Sequence, residues 1–402
     1  MTGPQGALTV QNYRVAILGC RNRGTAEARA YHAHPRTEIV ALCDLVQELL
    51  DTLGAEVNVP PSARYRDLDA MMQAVQPDIV AIPVGIEFHY PLAMRVLEYG
   101  AHIEVEKPLC QDLAQADEII AKAEEKGVRV AVHQQGRVSP YMQAVAQAHA
   151  AGHIGQVRYI YGSGKGYYGG YGLLDIGTHM LNNMLRFGGH VRSVSGIATT
   201  DGHRIGPEDV LEGPRGSGTV AGEHVTATLE FDHNATGTLL QHRFAGVGAA
   251  PAAYTLEVYG TEGRLVMNSS QRFGGAWWLP QPHHLPGGDY GNWQPLDPLY
   301  PDHYDPRSPA DPADYWFVEE YVRALDEGRD HECSGVEGRH IMEIMLGVFE
   351  SAVYGRRVDL PQPQRDHPLV RWRREQGAGP PTPMPRDLLE WYAAEDRRLG
   401  RE

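Results

Sequence analysis

Lys107 closes the run His102-Ile103-Glu104-Val105-Glu106-Lys107-Pro108, in which a β-rich stretch ends in a charged tripeptide and a proline. Residues 101–105 read as a buried strand, and Pro108 forbids its continuation. An ammonium group then stands at a strand's carboxyl end, where open α/β sheets bind their ligands. From the tripeptide alone, a solvated lysine at a strand exit reads equally well. A second group of chemistry-bearing residues lies in Gly169-Gly170-Tyr171-Gly172-Leu173-Leu174-Asp175-Ile176-Gly177-Thr178-His179-Met180-Leu181-Asn182. If this is a helix after a glycine turn, Asp175 and His179 are four residues apart on one face. The carboxylate would orient the imidazole and raise its basicity, and the pair could pass a proton. The plainer alternative is a capping aspartate and an interior histidine. Beside Lys107, the pair would supply the group that takes the hydroxyl proton in an alcohol oxidation.

A nucleotide site is suggested by Tyr13-Arg14-Val15-Ala16-Ile17-Leu18-Gly19-Cys20-Arg21-Asn22-Arg23-Gly24, an apolar strand feeding a glycine turn and a helix-like stretch, residues 25–33. This is the strand–turn–helix context of a dinucleotide fingerprint. Gly19 would make the tight turn and Gly24 would let helix and strand approach. The helix N-terminus beside Asn22 and Arg23 would receive the pyrophosphate. Arg21 stands where the fingerprint has its middle glycine, and its guanidinium could itself pair with a phosphate oxygen. The second apolar run, residues 38–43, ends at Asp44, which would accept from the ribose diol of NAD and repel the 2′-phosphate of NADP. Asp44 as a helix N-cap is the structural alternative.

These residues need a scaffold, and residues 13–132 supply its pattern. Short β-branched runs, including 78–82 and 128–132, alternate with helical patterns such as 113–126. Alternation at this spacing implies parallel strands joined by right-handed crossovers, a Rossmann doubly wound sheet. Beyond residue 150 come two-periodic runs at 156–161, 223–231, 236–242 and 254–259, then helices at 313–325 and 335–354. That is an α+β domain with a large, mostly antiparallel open sheet. The expected division is 1–135 for dinucleotide binding, 136–361 for substrate binding and oligomerisation, and 362–402 as a proline- and charge-rich extension with a short helix near 387–397.

Composition narrows the class. The 402 residues suggest about two domains plus extras. A formal charge of −15 argues against a nucleic-acid or anionic-membrane partner. No run approaches the ~18 apolar residues of a membrane span, and the N-terminus lacks a signal-peptide layout, so a cytoplasmic location is expected. Cys20, Cys43, Cys110 and Cys333 form no close pair, and the histidines are dispersed, so neither disulfides nor a metal is expected.

The ordered set Gly19, Asp44, Pro83 with His89, Glu106-Lys107-Pro108, Arg137-Val138-Ser139-Pro140 and Asp175-x-Gly177-x-His179 resembles the glucose–fructose oxidoreductase/inositol dehydrogenase (Gfo/Idh/MocA) family. So do Tyr259-Gly260-Thr261-Glu262-Gly263 and the run from Ser351 to Pro361. The resemblance covers roughly residues 13–361. It implies that Lys107, Asp175 and His179 are catalytic, and that Gly19, Arg21, Asn22, Arg23, Gly24, Asp44, Pro83, His89, Glu106 and Lys107 contact NAD. It also implies that Arg137, with the catalytic three, contacts substrate, and that the protein forms a homodimer or homotetramer. Two departures are Arg21 in the fingerprint and Asn182 where many members carry an acidic residue.

The resulting expectation is an NAD-dependent oxidoreductase acting on a secondary alcohol of a sugar, sugar derivative or cyclitol. Tyr167, Tyr168 and Tyr171 could stack on a sugar face, and the insertion from Trp277 to Tyr304, with His283 and His284, could line a pocket or a subunit contact. Two rivals are an NAD-assisted glycoside hydrolase or lyase, and a non-catalytic nucleotide sensor. The first would show no net NADH, and the second would lack a coherent acid–base set.

Overall fold

The structure, a computed structural model, describes residues 11–244, 254–269, 274–282 and 292–401. The first unit runs β1 (Tyr13–Leu18), α1 (Asn22–Ala33), β2 (Thr37–Cys43), α2 (Gln47–Glu56), β3 (Arg64–Tyr65), α3 (Leu68–Val75), β4 (Ile79–Ile82), α4 (Ile86–Glu98), β5 (His102–Glu106), α5 (Leu113–Lys126) and β6 (Val130–His133). The strands form a six-stranded sheet in the order β3-β2-β1-β4-β5-β6, and every pairing is parallel. The order reverses between β1 and β4, and the crevice at that switch point is where doubly wound sheets bind ligands. Alternation puts Val15 and Ile17 of β1 into one core cluster and Ala16 and Leu18 into the other. Local signals set the helix ends. Asp112 caps α5 by accepting from Gln115 N–H, and Gly127 closes it at φ +68°.

The second unit is built on a ten-stranded sheet. From one edge its path is Gln294–Leu296, Gly275–Leu279, Arg264–Ser269, Tyr254–Gly260, β7 (Val157–Ser163), Thr236–His242, His224–Phe231, β8 (Val191–Thr200) and Val358–Asp359, with His203–Arg204 paired to β8. One pairing, β7 with Thr236–His242, is parallel and the others are antiparallel. The expected fold class is therefore present.

The helix Pro312–Glu327 returns to the first unit. Its Tyr315, Phe317, Val318 and Tyr321 share a core cluster with Val15, Ile17 and Leu42. A contiguous division at residue 136 is thus crossed in space by a late helix. The extension after residue 361 folds into two helices, Pro368–Glu375 and Leu388–Arg398, where the sequence suggested one. The first was hidden in a charge-rich stretch and is held by buried Leu369 and Trp372. No helix among the described residues is long and apolar enough to cross a membrane. Trp277 and Trp278 lie in a strand of the large sheet, while His283 and His284 fall outside the described residues.

Candidate active site

The glycine turn is built as only glycine allows. Gly19 sits at φ +113°, and a Cβ on Gly24 would lie 1.9 Å from the Gly19 carbonyl oxygen. The first permits the turn and the second lets α1 close onto β1. Asp44 follows β2 and accepts from Cys20 N–H at 2.8 Å and Val46 N–H at 2.9 Å, one bond to each carboxylate oxygen. It therefore braces the turn while keeping lone pairs for a diol. Arg21 is exposed, and its guanidinium has no partner among the described residues. Pro83 follows β4, and its Cγ lies 3.2 Å from the position of that Gly24 Cβ. Gly19, Arg21, Asn22, Gly24, Asp44 and Pro83 thus gather at the carboxyl edge of the sheet, at the switch point. A glycine cradle that a Cβ would fill, at a helix N-terminus and beside an acidic residue, fits a dinucleotide.

Three residues expected at the cofactor point elsewhere. Arg23 bonds Glu106 at 2.8 Å, Asp314 at 3.0 Å and His133 at 2.8 Å. Glu106 spends its other oxygen on Lys107 N–H. Both side chains therefore tie α1 and β5 to the helix Pro312–Glu327. His89 is buried with its ring nitrogens 2.9 Å from Pro108 O and 3.1 Å from Val84 O, so it braces the loop after Lys107. The cluster around Arg23 also holds His133 against Glu104, Tyr31 donating to Glu104, and buried Glu27. Burial alone would lower His133, but Glu27 and Glu104 outweigh it and hold the ring well above its ordinary range. Burial would raise Asp314, yet His133 and Arg23 bring it down to about 2. Sequence periodicity offers no signal for this cluster, because its members come from four separate elements.

Lys107 is the first residue after β5, and its ammonium donates to Asp175 Oδ1 at 2.6 Å and Asp175 O at 3.0 Å. Burial favours the neutral amine, but Asp175 and Glu106 outweigh it and raise Lys107 above its usual value. Burial likewise opposes the Asp175 charge, and Lys107, Lys165 and Arg215 bring that group below its ordinary value.

The segment carrying Asp175 and His179 is helical but irregular. A single turn, Gly169–Gly172, passes into a π turn, Leu173–Gly177, before the α-helix Thr178–Gly188. Such bulges re-aim side chains at functional sites. Asp175 accordingly faces Lys107, and the expected carboxylate–imidazole contact does not form. The His179 ring has no hydrogen-bond or ion-pair partner among the described residues. Its basicity is depressed rather than raised, by burial first and then by Lys107 and Lys165.

Two expected substrate contacts are also spent elsewhere. Arg137 donates to Asn182 Oδ1 at 2.9 Å and Asn182 O at 3.0 Å. Asn182 is itself buried and donates to Gln134. Tyr168 is fully buried, donates to Glu395 at 3.1 Å and meets Trp391 edge-on, so it anchors the C-terminal helix.

A cavity of about 480 Å³ opens beside His179. Gln135, Ser139, Lys165, Tyr254, Asn268 and Tyr300 are among its walls. Gln135 Oε1 and Asn268 Oδ1 are buried acceptors with no hydrogen-bond partner among the described residues. Sequence reading missed Gln135, Lys165 and Asn268, which stand outside any motif and meet only through the fold.

Among the described residues, His34, His303 and Glu319 also converge, with each imidazole Nε2 3.0 Å from Glu319 Oε2. His34 Nδ1 accepts from Arg36 N–H at 3.3 Å, which keeps the ring proton on Nε2 and makes the group a hydrogen-bonded cluster.

Comparison with known proteins agrees with this geometry. Residues 13–134 match the oxidoreductase family with an NAD-binding Rossmann fold, and residues 142–266 match the GFO/IDH/MocA C-terminal domain. A D-apiose dehydrogenase of Paraburkholderia graminis is 33% identical over 147 residues, 37% of this chain and 39% of that protein. A D-glucoside 3-dehydrogenase of Escherichia coli is 28% identical over 193 residues, 44% of this chain and 54% of that protein. The matched stretches thus span about two fifths and about half of those relatives. A levoglucosan dehydrogenase solved with NADH and levoglucosan superposes with a TM-score of 0.70 at 20% identity, covering 88% of this chain and 100% of that one, which shows a shared fold. With both of its characteristic domains present in order, this chain belongs to the Gfo/Idh/MocA oxidoreductase family.

Proposed function

We propose that this chain is an NAD-dependent oxidoreductase acting on a secondary alcohol of a sugar, sugar derivative or cyclitol. The observation that carries the reading is the Lys107–Asp175 pair at the end of β5, within electrostatic reach of the His179 imidazole, which has no hydrogen-bond partner among the described residues and lines a cavity. Gln135, Ser139 and Asn268 put polar side chains in the wall of that cavity, which suits the hydroxyls of a polyol. The sugar-dehydrogenase names of the two relatives support the same substrate class.

NAD, held by the Gly19–Gly24 turn and Asp44, would supply the two-electron acceptor. Lys107 has three N–H donors, and Asp175 takes two of them. The third is left for the substrate oxygen, where the ammonium stabilises developing alkoxide charge. His179, kept neutral by its surroundings, accepts the hydroxyl proton at a ring nitrogen. Asp175 positions Lys107 and preserves its charge. Assembly into a homodimer or homotetramer through the exposed face of the large sheet, which presents Ile197 to solvent, is part of the same proposal.

The test is NADH formation by the full chain on a panel of monosaccharides, anhydrosugars, glycosides and inositols, with simple hydroxy acids and aliphatic alcohols alongside. Steady NADH growth and a product two hydrogens lighter are expected from at least one sugar or cyclitol. Activity confined to the hydroxy acids or aliphatic alcohols would overturn the carbohydrate reading. Cleavage without NADH growth would replace it with the NAD-assisted hydrolase.

A further inference from the structure

We infer that the substrate of this cavity carries an anionic group, a carboxylate or a phosphate ester, and that the Lys165 ammonium is its counter-charge. The inference rests on the sugar-alcohol reading above and adds the charge of the substrate to it.

Lys165 lies two residues beyond β7, between two glycines whose places are fixed by close neighbours. A Cβ on Gly164 would lie 2.0 Å from Gln241 Oε1, and one on Gly166, at φ +82°, would lie 2.5 Å from the Phe244 ring. The backbone is pinned on both sides, by Gly164 N–H to Leu240 O at 2.9 Å and Phe244 N–H to Gly166 O at 3.0 Å. A lysine held on such a bracket is aimed, unlike one on a free loop.

Its ammonium lies 5.2 Å from the centre of the Tyr254 ring and lines the cavity with His179. It makes no hydrogen bond or ion pair among the described residues. The carboxylate that acts on it, Asp175, is already bonded to Lys107 at 2.6 Å. Arg215 adds to the imbalance. It stands in the left-handed region at φ +59°, its N–H bonds Arg386 O at 2.8 Å, and its guanidinium is unpaired among the described residues yet acts on Asp175. Lys107, Lys165 and Arg215 therefore all act on Asp175, whose carboxylate is bonded to Lys107, while Glu106 acts on Lys107. Burial disfavours the Lys165 charge, and Asp175 only partly offsets it.

A half-buried cation that has an aromatic face beside it but no hydrogen bond or ion pair among the described residues costs free energy that an incoming anion would recover. The excess is local, because the chain as a whole carries −15 and repels anions. The pyrophosphate of NAD is a poor candidate for the partner. Its place is the N-terminus of α1 beside Arg21, whereas Lys165 projects from the second sheet with Tyr254 and Asn268 beside it.

The experiment measures kcat/KM of the full-length protein with NAD for matched probes: D-glucose, D-glucuronate and D-glucose 6-phosphate, then D-galactose and D-galacturonate. At least one anionic probe should exceed its neutral partner by about tenfold or more, the scale of one charge-assisted bond, and mainly through KM. The uronates and the phosphate ester separate the two sources of the anion. Lys165→Gln should bring the ratio to within about threefold, and Lys165→Arg should retain part of it. In the wild type, which needs no variant to fold, the preference should shrink between low and high salt. Equal treatment of neutral and anionic probes, or an equal loss on both in Lys165→Gln, overturns the inference. If none of these five probes yields NADH, the wider panel of sugars and cyclitols decides the oxidoreductase reading separately. Calorimetric binding of D-glucuronate and D-glucose 6-phosphate against D-glucose to the NAD-loaded protein then decides the charge question, and equal or undetectable binding overturns it.

Discussion

The Lys107 ammonium is held by Asp175 through both its carboxylate, at 2.6 Å, and its backbone carbonyl, at 3.0 Å, across 68 positions of sequence. Each charge is mostly shielded from water, so each depends on the other to remain ionised. The pairing makes Asp175 a support for Lys107 and leaves His179 alone to take a proton.

Removing either group that would touch substrate should show directly in turnover. Lys107→Ala or His179→Ala is expected to lower kcat by about a hundredfold or more, the usual scale for a lost acid–base group. NAD affinity, measured by titration, should change far less, since the glycine turn and Asp44 are untouched. Near-normal kcat in both variants would remove the proposed catalytic set.

The pH profile carries a definite sign. His179 is depressed well below 6.5, by burial first, so its proton-accepting form persists through neutrality and is lost only as pH falls through that lowered value. Lys107 is raised above 10.5, so its ammonium survives to strongly alkaline pH. Oxidative kcat/KM should therefore be level from pH 6.5 upward through neutrality, with its acid limb below 6.5. Residual activity of Lys107→Met should show that limb moved upward, because one cation acting on His179 is gone. An acid limb at or above 6.5 in the wild type would contradict the assignment.

Asp44 should set cofactor choice. Titrations are expected to show NAD binding well ahead of NADP, and Asp44→Ser should narrow the gap. The carboxylate also accepts from Cys20 N–H, so some loss of affinity for both cofactors is expected. Asp44→Asn, which keeps an acceptor for that bond, separates the two effects. Wild-type preference for NADP would refute the role.

The C-terminal helix should matter to stability. Trp391 is fully buried against Tyr168, and Tyr392 accepts from Tyr168 N–H at 2.9 Å. Trp391→Ala is expected to cost about 3–5 kcal/mol, the range for deleting a buried aromatic side chain. A thermal midpoint within a degree of wild type would show that the extension does not contribute to the core.

Much of the scaffold was legible before any coordinates. The α5 boundaries, the helix Gly335–Tyr354 and the strand Thr236–His242 lie where hydrophobic period and turn residues put them. Gly19, at φ +113°, and Gly24, where a Cβ would collide, stand at the two positions of the turn that require glycine. Lys107 emerges from its strand because Pro108 ends the ladder. These are properties of neighbours along the chain.

The partners of charged side chains were not legible. Arg23, Glu106, His89, Arg137 and Tyr168 sit in or near recognisable motifs, yet their polar groups are spent on Asp314, Arg23, Pro108, Asn182 and Glu395. The regular i, i+4 reading of Asp175 and His179 failed at a π turn, whose extra residue per turn depends on how the helix is packed. Lys165, Gln135 and Asn268 become one cavity wall only when strands, turns and helices from three regions of the chain meet. Periodicity survives in one dimension because it records which face of an element is buried. A charge chooses its partner after burial has removed water from both, and that choice is made between residues as distant as Arg23 and Asp314, 291 positions apart and 3.0 Å from each other.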